Sequence, residues 1–228
     1  MTFSEIIALD RGLLDDEILP YKWKDAELVA CANQTINELC EKARIIIDST
    51  TPAICNVPLL AGTAKYAKDS RIIEILRGRM VTYDCKITRR TGSFMDNYSS
   101  GWDSATASTG TPRNFLEDLD TGYFTLTPAP DANDTLWLTV VRLPLDQMTL
   151  ADLTNGASPE IHFKHHYALS DGILARAYLK QDAETYDPKK SARHMQIWLN
   201  YVNQVMLDEI NRNDIDNQAD QVPDYLED

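Results

Sequence analysis

The sequence predicts an α+β, mainly α fold: a bundle of long helices with an inserted, small, antiparallel β-rich domain. Three observations lead there. Apolar residues recur at helical spacing towards both ends of the chain, the middle third shifts to a period of two, and Pro and Gly cluster where the period changes. The expected divisions are residues 1–50 as the N-terminal helical part and 51–148 as the β-rich insert with a flexible loop at 91–112. Residues 149–212 follow as a C-terminal helical hairpin, and 213–228 as an acidic C-terminal tail.

Taken in order, residues 4–10 suit a short opening helix closed by the turn Arg11-Gly12. Asp25 is placed to cap a longer one, because its carboxylate can accept from backbone amides left free at a helix start. Leu28, Ala32, Ile36, Leu39, Ala43 and Ile46 then share one face, and Trp23 is positioned to staple against Leu28 or Val29. In the middle, Val81, Tyr83, Cys85 and Ile87 alternate with polar neighbours as in a half-buried strand. Residues 123–127 and 135–142 read as further strands around the turn Pro128-Ala129-Pro130-Asp131, giving three to five strands with short antiparallel connections. Ser158-Pro159 is a helix start signal, and Ile161, His165, Leu169, Ile173 and Ala177 continue from it on one face. Asp187-Pro188 repeats the signal before a stripe through Met195, Trp198, Val202 and Val205 to Ile210. Two such helices joined by a short turn pack antiparallel, with the helix near 25–47 completing the bundle.

Composition narrows the function. The 228-residue chain carries 22 Lys and Arg against 35 Asp and Glu, a net charge of −13, so it should not grip nucleic acid as a whole. Eight acids against one base, Arg212, fall between residues 207 and 228. No apolar run approaches the roughly 20 residues of a membrane span, and the first residues lack the form of a secretory signal, so a cytoplasm is the expected place of synthesis. Cys31, Cys40, Cys55 and Cys85 are widely spaced, which points to neither a metal site nor a disulfide framework.

Catalytic motifs are missing: there is no phosphate-binding Gly-rich loop, no G-x-S-x-G and no H-E-x-x-H. His162 and His166 stand at i, i+4 spacing near Glu160 and His165, a pattern that could hold zinc, though bundle histidines with ordinary hydrogen bonds are the expectation. Asp182 and Glu184 could do paired-carboxylate work in a cell-wall glycosidase, but acids also suit a helix–helix turn. No catalytic residue, cofactor or metal is expected. The loop at 91–112 is rich in Gly, Ser, Thr and Ala, and against that soft background Phe94, Tyr98 and Trp102 stand out as contacts for a neighbouring or tail protein. Folding back on their own sheet is the equal alternative.

The order of short motifs brings a family into view. Leu14-Asp15-Asp16, Pro20-Tyr21-Lys22-Trp23-Lys24-Asp25, Gly110-Thr111-Pro112-Arg113-Asn114-Phe115 and Thr125-Leu126-Thr127-Pro128-Ala129-Pro130 follow one another. Thr135-Leu136-Trp137-Leu138, Arg142-Leu143-Pro144, Pro159-Glu160-Ile161, His165-His166 and Asp182-Ala183-Glu184-Thr185 complete the set. From about residue 14 to about 205 the chain resembles the head-to-tail adaptor (connector) proteins of tailed bacteriophages. The resemblance implies a structural, non-enzymatic virion protein at the head–tail junction, assembled in the host bacterial cytoplasm. Its partners would be copies of itself in a ring, usually of twelve, the portal, and a tail or nozzle protein, with DNA passing through the channel unbound. It also implies that the C-terminal segment embraces the portal, which singles out Val222, Tyr225 and Leu226. The alternatives are the hydrolase and another neck or tail-completion protein.

Overall fold

A computed structural model of the chain describes residues 1–99, 101–104 and 109–219, with side chains through Arg212. Its helices are α1 (Phe3–Leu13), α2 (Asp25–Ala43), α3 (Pro52–Cys55), α4 (Gly92–Tyr98), α5 (Leu169–Ala177) and α6 (Pro188–Ala219). The strands begin with β1 (Ile47–Asp48), β2 (Asn56–Leu59), β3 (Lys65–Ala67) and β4 (Ile72–Met80). They continue with β5 (Lys86–Arg89), β6 (Asn114–Leu116), β7 (Tyr123–Thr127) and β8 (Asp134–Arg142). The contacts divide into a helical unit, residues 1–45 and 144–228, and a β-rich unit, residues 46–143.

The expected bundle of long helices with a small insert is corrected on both counts. The β-rich unit holds an eight-stranded sheet among the described residues, curled into a half-barrel, and so is no minor insert. In the helical unit α5 has only nine residues, because 161–168 do not continue the helix that the spacing of Ile161, His165 and Leu169 suggests. There His166 Nε2 binds the Ile161 carbonyl at 3.0 Å and His162 Nδ1 accepts from the Lys164 amide at 3.3 Å. These ring-to-backbone bonds hold the segment in a short 3₁₀ turn, Phe163–His165, ahead of α5.

In the helical unit, α2, α5 and α6 pack on one another. Their crossing is tight enough that a Cβ on Gly172 would meet Thr35 Cγ2 at 2.4 Å and Trp198 Cδ2 at 3.0 Å, so the site requires glycine. Glu38 ties the three together, accepting from Arg176 Nη2 at 2.6 Å, Trp198 Nε1 at 2.8 Å and Lys42 Nζ at 2.5 Å. Burial alone would raise its pKa, but these donors hold it down to about 2. The residue before α2 is Lys24, whose amide donates to Glu27 at 2.9 Å. The expected cap, Asp25, instead starts the helix and takes Arg11 Nη2 at 2.5 Å. Trp23 is buried, as a staple would be, but it also spans to α5: its Nε1 donates to the Ala177 carbonyl at 2.9 Å and it meets Tyr178 edge to face. Asp187 does cap α6, accepting from the Lys189 and Lys190 amides at 3.1 and 3.0 Å.

In the β-rich unit β8 is central, pairing antiparallel with β1, β2 and β4. The sheet continues through β5, β6, β7 and β3. Register shifts between Ile72 and Glu74 and between Ile75 and Arg77 bend β4, as bulges do. Ile75, Met80, Ile87, Leu136, Phe115 and Phe124 form the inside. The alternation read at 81–87 is mostly a turn, since β4 ends at Met80 and β5 begins at Lys86. One pairing, β5 with β6, is parallel, against the antiparallel expectation. A parallel pair needs a crossover of a dozen residues or more. The Gly- and Ser-rich stretch read as a loop is that crossover, and it carries α4.

Candidate functional site

The crossover shapes a large hollow within the β-rich unit, about 900 Å³, at the upper end of ordinary ligand pockets. Thr91 sets the wall by capping α4, its hydroxyl accepting from the Phe94 amide at 3.2 Å. Asp118 fixes the same end through the Gly92 amide at 2.8 Å, and Met95 anchors the helix underneath. With Met95 turned in, Phe94 and Tyr98 lie one turn apart on the open side and stack at 5.5 Å. Arg90 covers the Phe94 ring at 4.4 Å, and Trp102 Nε1 donates to Asp96 at 3.0 Å. Tyr98 stays 75% exposed.

The structure therefore brings the three expected aromatics into one wall. Sequence reasoning missed what faces them: Lys86, Arg90 and Arg113, from β5, its end and the approach to β6. Thr88, Thr111 and Asn114 add neutral polar groups, and Cys85 a half-exposed thiol. No Asp, Glu or His is among the described lining residues, so the groups a ligand would meet there are cations, neutral polar side chains and aromatic rings. Tyr83 at its rim donates to Asp131 at 3.1 Å, and that bond raises the phenol pKa. The parallel pairing of β5 and β6 brings these cations together, and a one-dimensional pattern does not display that pairing.

The other candidates are placed apart. Glu184 points to solvent with Lys22 at 4.0 Å, whereas Asp182 lines a separate open hollow with Gln181, Ala183 and Tyr186, so the two carboxylates do not converge on one cleft. Around the histidines, His165 Nδ1 bonds the Tyr201 hydroxyl at 2.8 Å, and Glu160 accepts from the Leu145 amide at 2.6 Å. Burial lowers the His165 pKa to about 4, which keeps the ring neutral. Among the described residues no group of three or more His, Cys, Asp or Glu could hold a metal ion, and no helix is long and apolar enough to cross a membrane. Val222, Tyr225 and Leu226 lie outside the described residues.

Compared with known proteins, the sequence matches a family model described as SU10 adaptor protein over residues 1–223. None of the curated proteins compared matches it.

Proposed function

The chain belongs to the SU10 adaptor protein family, a family of phage adaptors, and from that premise we propose that it forms a closed ring at the head-to-tail junction of the virion. The portal sits on one side of the ring and the tail or nozzle protein on the other. Twelve copies make the ring, which extends the DNA channel and does no chemistry of its own. The observation that carries this reading is the reach of the match, which runs through both units of the chain.

Physical features are compatible with it. A ring subunit needs two different sticky faces, and the helical unit exposes Ile18 and Leu19 at 85% and 73%, as well as Phe163 and Tyr167. The loop bearing Ile18 and Leu19 is held firmly at both ends, because the largely buried Arg11 binds Asp16 at 2.8 Å and the Trp23 carbonyl at 3.1 Å. A net charge of −13 favours passage of DNA without adhesion. Phe94, Tyr98 and Trp102 serve as a contact to the neighbouring component. Negative-stain microscopy of the purified chain mixed with its portal tests the proposal: capped portals with a closed ring are expected, and a monomer that ignores portals overturns it.

A further inference from the structure

The pocket of the β-rich unit is cationic in a chain that is strongly anionic. Lys86, Arg90 and Arg113 make no ion pair among the described residues. Three nearby carboxylates are already engaged: Asp96 by Trp102, Asp118 by the Gly92 amide and Asp131 by Tyr83. Three like charges around one open hollow repel each other, and an anion seated among them removes that cost. Guanidinium groups are suited to carboxylates in particular, which they bind through two parallel N–H bonds.

The complementary chemistry is present in the same chain. Segment 213–228 carries Asp214, Asp216, Asp220, Asp224, Glu227 and Asp228 with no Lys or Arg, interleaved with Val222, Tyr225 and Leu226. We propose that this segment of one copy docks in the pocket of a second copy. Its carboxylates face Lys86, Arg90 and Arg113, and Tyr225 and Leu226 lie on Tyr98 and Trp102. The inference rests on the ring reading, because a closed ring places every subunit beside another. It gives the acidic segment a different destination from the portal.

Nucleic acid is the other polyanion to weigh, and the pocket favours the peptide. The Phe94 ring is already engaged, stacked with Tyr98 and covered by Arg90. A nucleic-acid strand with a phosphate at each nucleotide must also run on past three cations over an acidic chain, whereas a peptide confines its charge to the pocket.

Cys85, a free and half-exposed thiol in the lining, supplies the test. The full chain carrying Asp224→Cys is assembled on its portal, oxidised with copper phenanthroline, and run on a non-reducing gel. A ladder of cross-linked copies is expected, absent with Cys85→Ser and at least tenfold weaker with Lys86→Glu and Arg113→Glu together. A bridge confined to one chain, a bridge to the portal or no Cys85-dependent bridge overturns the docking. So does a labelled deoxythymidine oligonucleotide that binds the pocket and erases the ladder. Rings are counted by microscopy in the same sample: intact rings without a ladder remove the docking alone, and absence of rings removes the ring reading as well.

Discussion

Each unit buries an aspartate, and the two are in opposite electrical condition. In the β-rich unit Asp48 meets the Arg142 Nε at 2.7 Å, the Thr51 hydroxyl at 2.6 Å and the Thr50 amide at 2.8 Å. Burial alone would raise its pKa, but these donors reverse that and hold it well below the ordinary carboxylate range. In the helical unit Asp10 is fully buried, and neither its carboxylate oxygens nor the Ser170 hydroxyl have a hydrogen-bond partner among the described residues. Burial there pushes the pKa up to about 7, and the charge of nearby Asp171 adds to it. Both side chains are shut off from solvent, but Asp10 lies deeper in the protein. Partners together with depth decide whether a buried acid is a charge or a neutral group.

The largest effect that would break this contrast is Arg142→Met. It strands the Asp48 charge and costs the β-rich unit roughly 3–5 kcal/mol, read by urea unfolding with hydrogen exchange resolving the two units. Next is Asp10→Asn. The folded state holds the Asp10 proton up to about pH 7 while the unfolded chain releases it near 4, so the wild type loses stability as pH rises between those values. The variant should be roughly 4 kcal/mol more stable than the parent at pH 8 and equal to it below pH 4, measured as unfolding midpoints across pH. His165, lowered to about 4 when folded, slopes the other way and adds stability as pH rises towards 6.5, so the variant's curve should climb where the parent's is flattened. Glu38→Gln is smaller still. Losing the charge that binds Arg176 should cost about 1–2 kcal/mol at pH 7, with the parent's advantage fading as acid approaches pH 2. Least of all is Tyr98→Ala, which should change the stability of the isolated chain by under about 0.5 kcal/mol because the ring is mostly exposed. A larger drop would mean that the aromatic wall belongs to the core.

What sequence could reveal follows from how local each signal is. The start of α6 at Asp187-Pro188 and the apolar face of α2 from Leu28 to Ala43 are local, and both are where the residues indicate, although Ile46 falls beyond the helix, which ends at Ala43 before left-handed Arg44. Strands β7 and β8 were legible for the same reason. Strand β4 was not: its two bulges break the period of two, while the neighbouring turn at 81–85 happens to alternate. Strands of two to four residues such as β1, β2 and β3 leave too few positions for any period to register. Asp48 and Arg142 lie far apart in the chain, as do Lys86 and Arg113, so neither the buried pair nor the cationic wall could be found without the sheet that joins them.

The crossover between β5 and β6 leaves and re-enters the sheet at adjacent points, pinned by Thr88 N to Arg113 O at 2.8 Å and Arg90 N to Phe115 O at 2.9 Å. Between those clasps α4 is tied back by Asp118 at the Gly92 amide and by buried Met95, and Gly110 N donates to the Ala129 carbonyl at 2.8 Å. Doubling the length of the crossover costs only about 0.6 kcal/mol in closure entropy. The stretch beyond α4 is thus a place for a cassette: an engineer can splice an epitope there while the strands on either side keep their register.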